Sequence, residues 1–193
     1  MSRRTCWGLG VLGLALSTSA VATVVVAQSL EEMAAAAPVI VVGKVGQVQS
    51  RWDEARARIY TYAEIASGEH LKGEAPKTFL VRQPGGEVGP IGQQVSGAAQ
   101  FEAGEDVALF LEKAPDEAGV FIVYAMAAGK VLFETSRVGE VRAVRHLEGL
   151  AFYELSATAK PRLRQSGPDD LGTPAQFLSR VRAAVARTSG SRP

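Results

Sequence analysis

From Ile59 to Ile65 the chain alternates without a break, with Ile59, Thr61, Ala63 and Ile65 on one side and Tyr60, Tyr62 and Glu64 on the other. A period of two belongs to a β-strand with one face in a core. The rhythm returns from Asp106 to Lys113, where Val107, Leu109 and Leu111 alternate with Ala108 and Phe110. Val39 to Gln49 is rich in valine and contains Gly43 and Gly46, so it reads as a buried strand that then bends or bulges. Thr78 to Gln83, Val120 to Ala125, Lys130 to Glu134 and Val138 to Val144 add shorter strands. Turn chemistry separates them: the polar stretch Arg51 to Arg58, then Lys72, Gly73 and Pro76, then Pro115, Asp116 and Gly119. Short strands at regular spacing with glycine-rich turns predict a mainly β fold, an antiparallel barrel or sandwich.

Two helices frame these strands. Ser29 and Glu32 form a capping box, Leu30, Met33, Ala34 and Ala37 share one face, and Pro38 ends the segment. Near the other end Thr173, Pro174 and Gln176 repeat a helix start, and Phe177, Val181, Ala184 and Val185 form an apolar stripe. That helix, 173–188, is expected to pack on the strands, with 157–172 as its polar linker and 189–193 as a frayed tail.

Residues 84–97 carry Gly85, Gly86, Gly89, Pro90, Gly92 and Gly97, a composition that predicts a long loop. Loops of that size in compact domains are commonly functional.

The amino terminus has the order of an export signal: Arg3 and Arg4, an uncharged apolar run from Trp7 to Leu16, then small residues to Ala27. Cleavage is placed after Ala27, with Ala22 as the other site that satisfies the small-residue rule. A retained anchor competes, because the uncharged stretch from Thr5 to Ser29 exceeds the ~20 residues a bilayer needs. The expected product is secreted or periplasmic, with no membrane span after cleavage. Its loss of residues 1–27 removes Cys6, the only cysteine, so stability must come from packing and not from disulfides.

Charge is uneven. Residues 28–136 hold 9 Lys and Arg against 15 Asp and Glu, a balance of −6, whereas 137–193 hold 10 against 5, or +5. A basic tail of this kind either docks on its own acidic domain or meets an anionic surface.

No chemical motif fits its context. His70 and His146 lack metal-ligand spacing, Ser96-Gly97 lacks a nucleophile elbow, and Gly129-Lys130 lacks the rest of a phosphate loop. The carboxylate pairs Asp53-Glu54 and Glu105-Asp106 are expected to be solvated. These readings predict no enzyme, no cofactor, no metal and no nucleic-acid partner.

The order of a valine-rich strand to Gly43 and Val45, a strand on Ile59, Tyr60 and Thr61, the Leu71-Lys72-Gly73 turn, a glycine-rich loop, then Phe101, Gly104, Glu105 and the Val107–Leu111 strand resembles netrin-like modules. These include the OB-type barrels of tissue inhibitors of metalloproteinases, and exported bacterial proteins of the same pattern are similar. The resemblance covers roughly half of the chain. It implies an antiparallel OB-type (netrin-like) barrel over 28–156, with a short amino-terminal helix and a carboxy-terminal amphipathic helix. It also implies a noncatalytic secreted binding module. Metalloproteinase inhibitors present an amino-terminal cysteine to the catalytic zinc, and the exported chain has none, so the barrel and the binding role are what carry over.

The expected partner is an extracellular or envelope protein, such as a protease, held through Gln83, Gly85, Gly86, Glu87 and Gln93, with Tyr60 and Tyr62 nearby. The alternative is an oligosaccharide or anionic-polymer binder that uses Tyr60, Tyr62 and the basic residues Arg162, Arg164, Arg180 and Arg182. Packing against the terminal helix is the competing role for the two tyrosines. Oligomeric state is left open by the sequence.

Overall fold

The computed structural model describes residues 23–26, 28–137, 139–147, 150–154, 162–165 and 167–189. Most of the export signal assigned above lies outside them. Along the chain run β1 (Thr23–Val26), α1 (Leu30–Ala36), β2 (Val39–Trp52), β3 (Ile59–Lys72) and β4 (Thr78–Pro84). Next come β5 (Gly86–Val88), β6 (Ile91–Gln93), β7 (Asp106–Lys113), β8 (Val120–Val123), β9 (Lys130–Thr135) and β10 (Val141–Arg145). The chain closes with β11 (Leu150–Glu154), β12 (Arg162–Gln165), β13 (Asp169–Asp170) and α2 (Pro174–Ser189). The fold is mainly β with two helices.

Five strands close a ring. β2 pairs with β3, β3 with β4, β4 with β8, β8 with β7, and β7 with β2 again. The outer edge of β7 is shared, carrying β9 along Val107–Leu109 and β8 along Leu111–Lys113. β9 then leads to β10 and β13, so the sheet continues past the ring. The expectation of an all-antiparallel arrangement is corrected here, because β4 and β8 run parallel, with Val81 opposite Phe121. Parity requires it: strands that alternate in direction around a closed ring of five must meet once in the same direction.

Both faces of the central strands are buried. Val107, Leu109 and Leu111 point into the ring with Val41, Val45, Ile65 and Phe121. Ala108 and Phe110, on the other face of β7, join Ile40, Met33 and Phe177 beneath the two helices. Burial of this kind is worth about 25 cal/mol per Å² of apolar surface and is the main term holding the layers together. In α1, the Ser29 hydroxyl accepts from the Glu32 N–H (3.2 Å) and Glu32 accepts from the Ser29 N–H (2.8 Å). In α2, Thr173 and Gln176 form the same reciprocal pair. Phe177 is fully buried and meets Phe133 edge-on at 5.9 Å between ring centroids.

Three expected boundaries change. The segment 84–97 is not an unstructured loop throughout, because β5 and β6 form a hairpin with Val88 opposite Ile91. The glycines that argued against regular structure supply its positive φ angles, +95° at Gly85 and +132° at Gly86. The linker 157–172 contains β12 and β13, which pair with β11 and β10. Ser189, placed in the tail, is the last residue of α2, and 190–193 lie outside the described residues.

β1 falls within the segment assigned to the export signal, yet it runs parallel to β11, with Val24 opposite Ala151. A cut after Ala22 would keep this strand, and one after Ala27 would remove it. No helix among the described residues is long and apolar enough to cross a membrane.

Candidate ligand groove at the mouth of the ring

Residues directly opposite one another in adjacent antiparallel strands share a face. Across β2, β3 and β4 this gives three inward rows. Val45, Ile65 and Phe79 form the first, Val48, Ala63 and Val81 the second, and Ser50, Thr61 and Gln83 the third. The interior therefore passes from apolar to polar toward one end of the ring. That end is the mouth.

The β5–β6 hairpin and the segment 94–101 border it, enclosing a groove of about 950 Å³. Of the residues expected to bind, Gln83, Gly85, Gly86, Glu87 and Gln93 all line this groove. Close approach by glycine makes the arrangement possible. A Cβ on Gly86 would strike the Ser50 and Thr61 hydroxyls, and one on Gly85 would come within 2.7 Å of the Gln93 carbonyl. Gln93 also anchors the hairpin, its side-chain oxygen accepting from the Ile59 N–H at 2.7 Å.

The third row is unequally satisfied. Ser50 Oγ and Thr61 Oγ1 lie 2.9 Å apart, and Thr61 donates to the Gly85 carbonyl at 2.8 Å. Gln83 is only 5% exposed, and its carboxamide makes no hydrogen bond among the described residues. Hydroxyls, carboxamides and backbone dominate the lining, and among the described residues Glu87 is its only ionisable side chain. Such a surface can form hydrogen bonds to a ligand. Among the described residues, its lining places no base beside a hydroxyl and no second carboxylate near Glu87.

One wall is clamped from behind. Lys130 Nζ donates to the Gln100 carbonyl and to Glu105 Oε2 (2.6 Å), and lies 4.9 Å from the centroid of the Phe101 ring. Burial pulls the Lys130 pKa below the usual lysine range, and the Glu105 carboxylate opposes that pull. A second cavity of about 330 Å³ lies at Lys130, with Ala98, Ala99 and Gln100 lining both it and the groove. Glu105, expected to be solvated, is thus a half-buried ion-pair partner, because β9 delivers Lys130 beside it. Asp106 pairs with Lys44 at 2.9 Å. Asp53 likewise has a structural role, accepting from the Ala57 and Arg58 N–H groups in the β2–β3 turn.

Tyr60 and Tyr62 are not brought to the groove. They project from the opposite face to Thr61, where the Arg82 guanidinium stands 4.7 Å from the Tyr60 ring and Arg51 stands 3.7 Å from that of Tyr62. Tyr62 donates to Glu117 at 2.8 Å, and Arg82 pairs with Glu117 and Asp116. These arginines, and not the terminal helix, are their neighbours. The basic tail is docked in part on the acidic domain, through Arg180 with Glu31 (3.0 Å) and Arg182 with Glu69 (2.7 Å). The side chains of Arg162 and Arg164 lie outside the described residues.

His70 is exposed on β3, and His146 lies 3.4 Å from Glu134. No cluster of three metal-ligating side chains occurs among the described residues. Sequence reading missed Ser50, Thr61 and Lys130 as parts of the site. For Thr61 a signal existed: it is a polar residue at the parity of Ile59, Ala63 and Ile65, the buried face of its strand.

The chain matches no protein-family model, and no curated protein matches it in sequence.

Proposed function

We propose that this protein is an exported, noncatalytic binding module of OB type, netrin-like in its strand order, that holds a protein partner in the groove bordered by residues 84–97. The five-stranded ring with elaborated loops at its mouth supports the OB reading. One observation carries the binding reading: a preformed groove of ligand size is lined by hydroxyls, backbone and the Gln83 carboxamide, which makes no hydrogen bond to another described residue. The close glycine contacts fix its shape before any ligand arrives, which lowers the ordering cost of association. The partner class is an extracellular or envelope protein. The anionic-polymer alternative loses support from the docking of Arg180 and Arg182 on acidic partners.

Site-specific photo-crosslinking tests the proposal. A photoreactive residue at Gln94, on the groove rim, is expected to give one discrete protein adduct when the full chain is exported by its native host. The same residue at exposed Ala118, outside the groove, is expected to give none. Absence of an adduct at Gln94, or equal adducts at both positions, would overturn the reading.

A further inference from the structure

Resting on that reading of the groove, we infer that its ligand is an uncharged, extended polypeptide segment, and that the Gln83 carboxamide recognises it by pairing with one of its main-chain amides. A carboxamide presents a donor and an acceptor side by side. Its natural complement is a group with an acceptor and a donor side by side, which a peptide amide supplies. Gln83 is 5% exposed and stands in register opposite Thr61, whose hydroxyl is already committed to Gly85. Neither neighbour in its row bonds to it. Its polar atoms open onto the groove and are not sealed in the interior, so a ligand that pairs with both halves at once takes the place of the water they meet there.

Charge narrows the class. A carboxylate ligand would use only the donor half and would meet Glu87 on the same lining, while a cation would use only the acceptor half. Sugar hydroxyls donate and accept as well, but the hairpin favours polypeptide. β6 pairs with β5 on one side and with no other strand among the described residues, and its Gly92 and Gln93 line the groove. An unpaired strand edge offers the main-chain ladder that an extended peptide can join and a sugar cannot.

Nuclear magnetic resonance titration of the isotope-labelled protein with acetyl-trialanine N-methylamide tests this, with methyl glucoside and acetate as comparison ligands. The blocked peptide is expected to shift the Gln83 side-chain amide and the Gly92 backbone amide saturably. Q83L is expected to weaken binding about tenfold, the scale of one hydrogen bond. Q83E keeps the size but loses the amide donor, and is expected to weaken binding similarly, which separates recognition from any packing fault in Q83L. Saturable shifts from methyl glucoside or acetate without any from the peptide would overturn the inference, and so would peptide binding unchanged in both variants. If the peptide leaves the spectrum unchanged while Gln94 still captures a protein, amide recognition by Gln83 fails and the binding-module reading survives. If both fail, the groove reading falls with it.

Discussion

The Lys130 ammonium lies 2.6 Å from a Glu105 carboxylate oxygen, and the two side chains are 12% and 16% exposed. The same ammonium holds the Gln100 carbonyl, so one contact of β9 fixes the wall segment that borders the groove.

Lys130→Met is therefore expected to lower stability by about 3 kcal/mol, because it leaves the Glu105 carboxylate partly buried with no counter-charge. Urea denaturation measures the loss. Amide exchange locates it: residues 98–105 should exchange faster while the ring strands β2 and β3 stay protected below global unfolding. Lys130→Arg, which keeps the charge, should recover part of both effects. Wild-type exchange in 98–105 would show that the clamp does not position the wall.

Gly86→Ala is expected to cost about 2 kcal/mol or to lift the hairpin from β2 and β3, because φ is +132° and a Cβ would meet Ser50 and Thr61. Gly89 is a matched control. It also has positive φ, +60°, but nothing lies within 4 Å of its would-be Cβ. Gly89→Asn, a residue that tolerates this backbone region, should change the denaturation midpoint much less than Gly86→Ala. Equal effects would mean that backbone conformation, and not close approach, makes Gly86 necessary.

Acid should destabilise the fold through specific carboxylates. A hydrogen bond from Arg82 holds Asp116 below its ordinary 3.8, one from Arg142 does the same for Asp170, and the Ser29 N–H holds Glu32 below 4.5. Each folded-state pKa is lower than the unfolded one, so the unfolded chain binds protons first as pH falls. The stabilisation is present above the ordinary values and lost as pH drops through the lowered ones. Thermal midpoints should accordingly fall below about pH 4.5. The double change Asp116→Asn with Asp170→Asn should flatten that fall. An unchanged slope would assign acid sensitivity to other groups.

Much of the architecture was legible because it is local. The Asp106–Lys113 strand has the bounds its alternation suggested, and both capping boxes form. That residues 84–97 form a distinct feature beside Gln83 was traceable through their glycine-rich composition, and they border one groove with it. Tyr60 and Tyr62 were assigned to the site because they share a strand face on which OB-type barrels place stacking rings, but the groove opens on the Thr61 face, and Arg51 and Arg82 cover the tyrosines on the other. Lys130 was invisible as a partner of Glu105, since 25 residues separate them and only the β7–β9 pairing brings them together.

The sequence by itself determined the periodicities, the helix starts, the uneven charge and the want of catalytic motifs. Tertiary structure decided which residues face inward together. In β2, Val45 lies opposite Ile65 and Val48 opposite Ala63, so three steps on one strand match two on the other. That one-residue bulge reverses the alternation of β2. Odd-numbered residues point into the ring through Val45 and even-numbered ones from Val48 onward, which turns Ser50 inward beside Thr61 and Gln83. The valine-rich strand with Gly43 and Gly46 announced a bend. Where the extra residue would fall depended on the partner strand, because register is a property of two chains of hydrogen bonds and neither strand carries it alone.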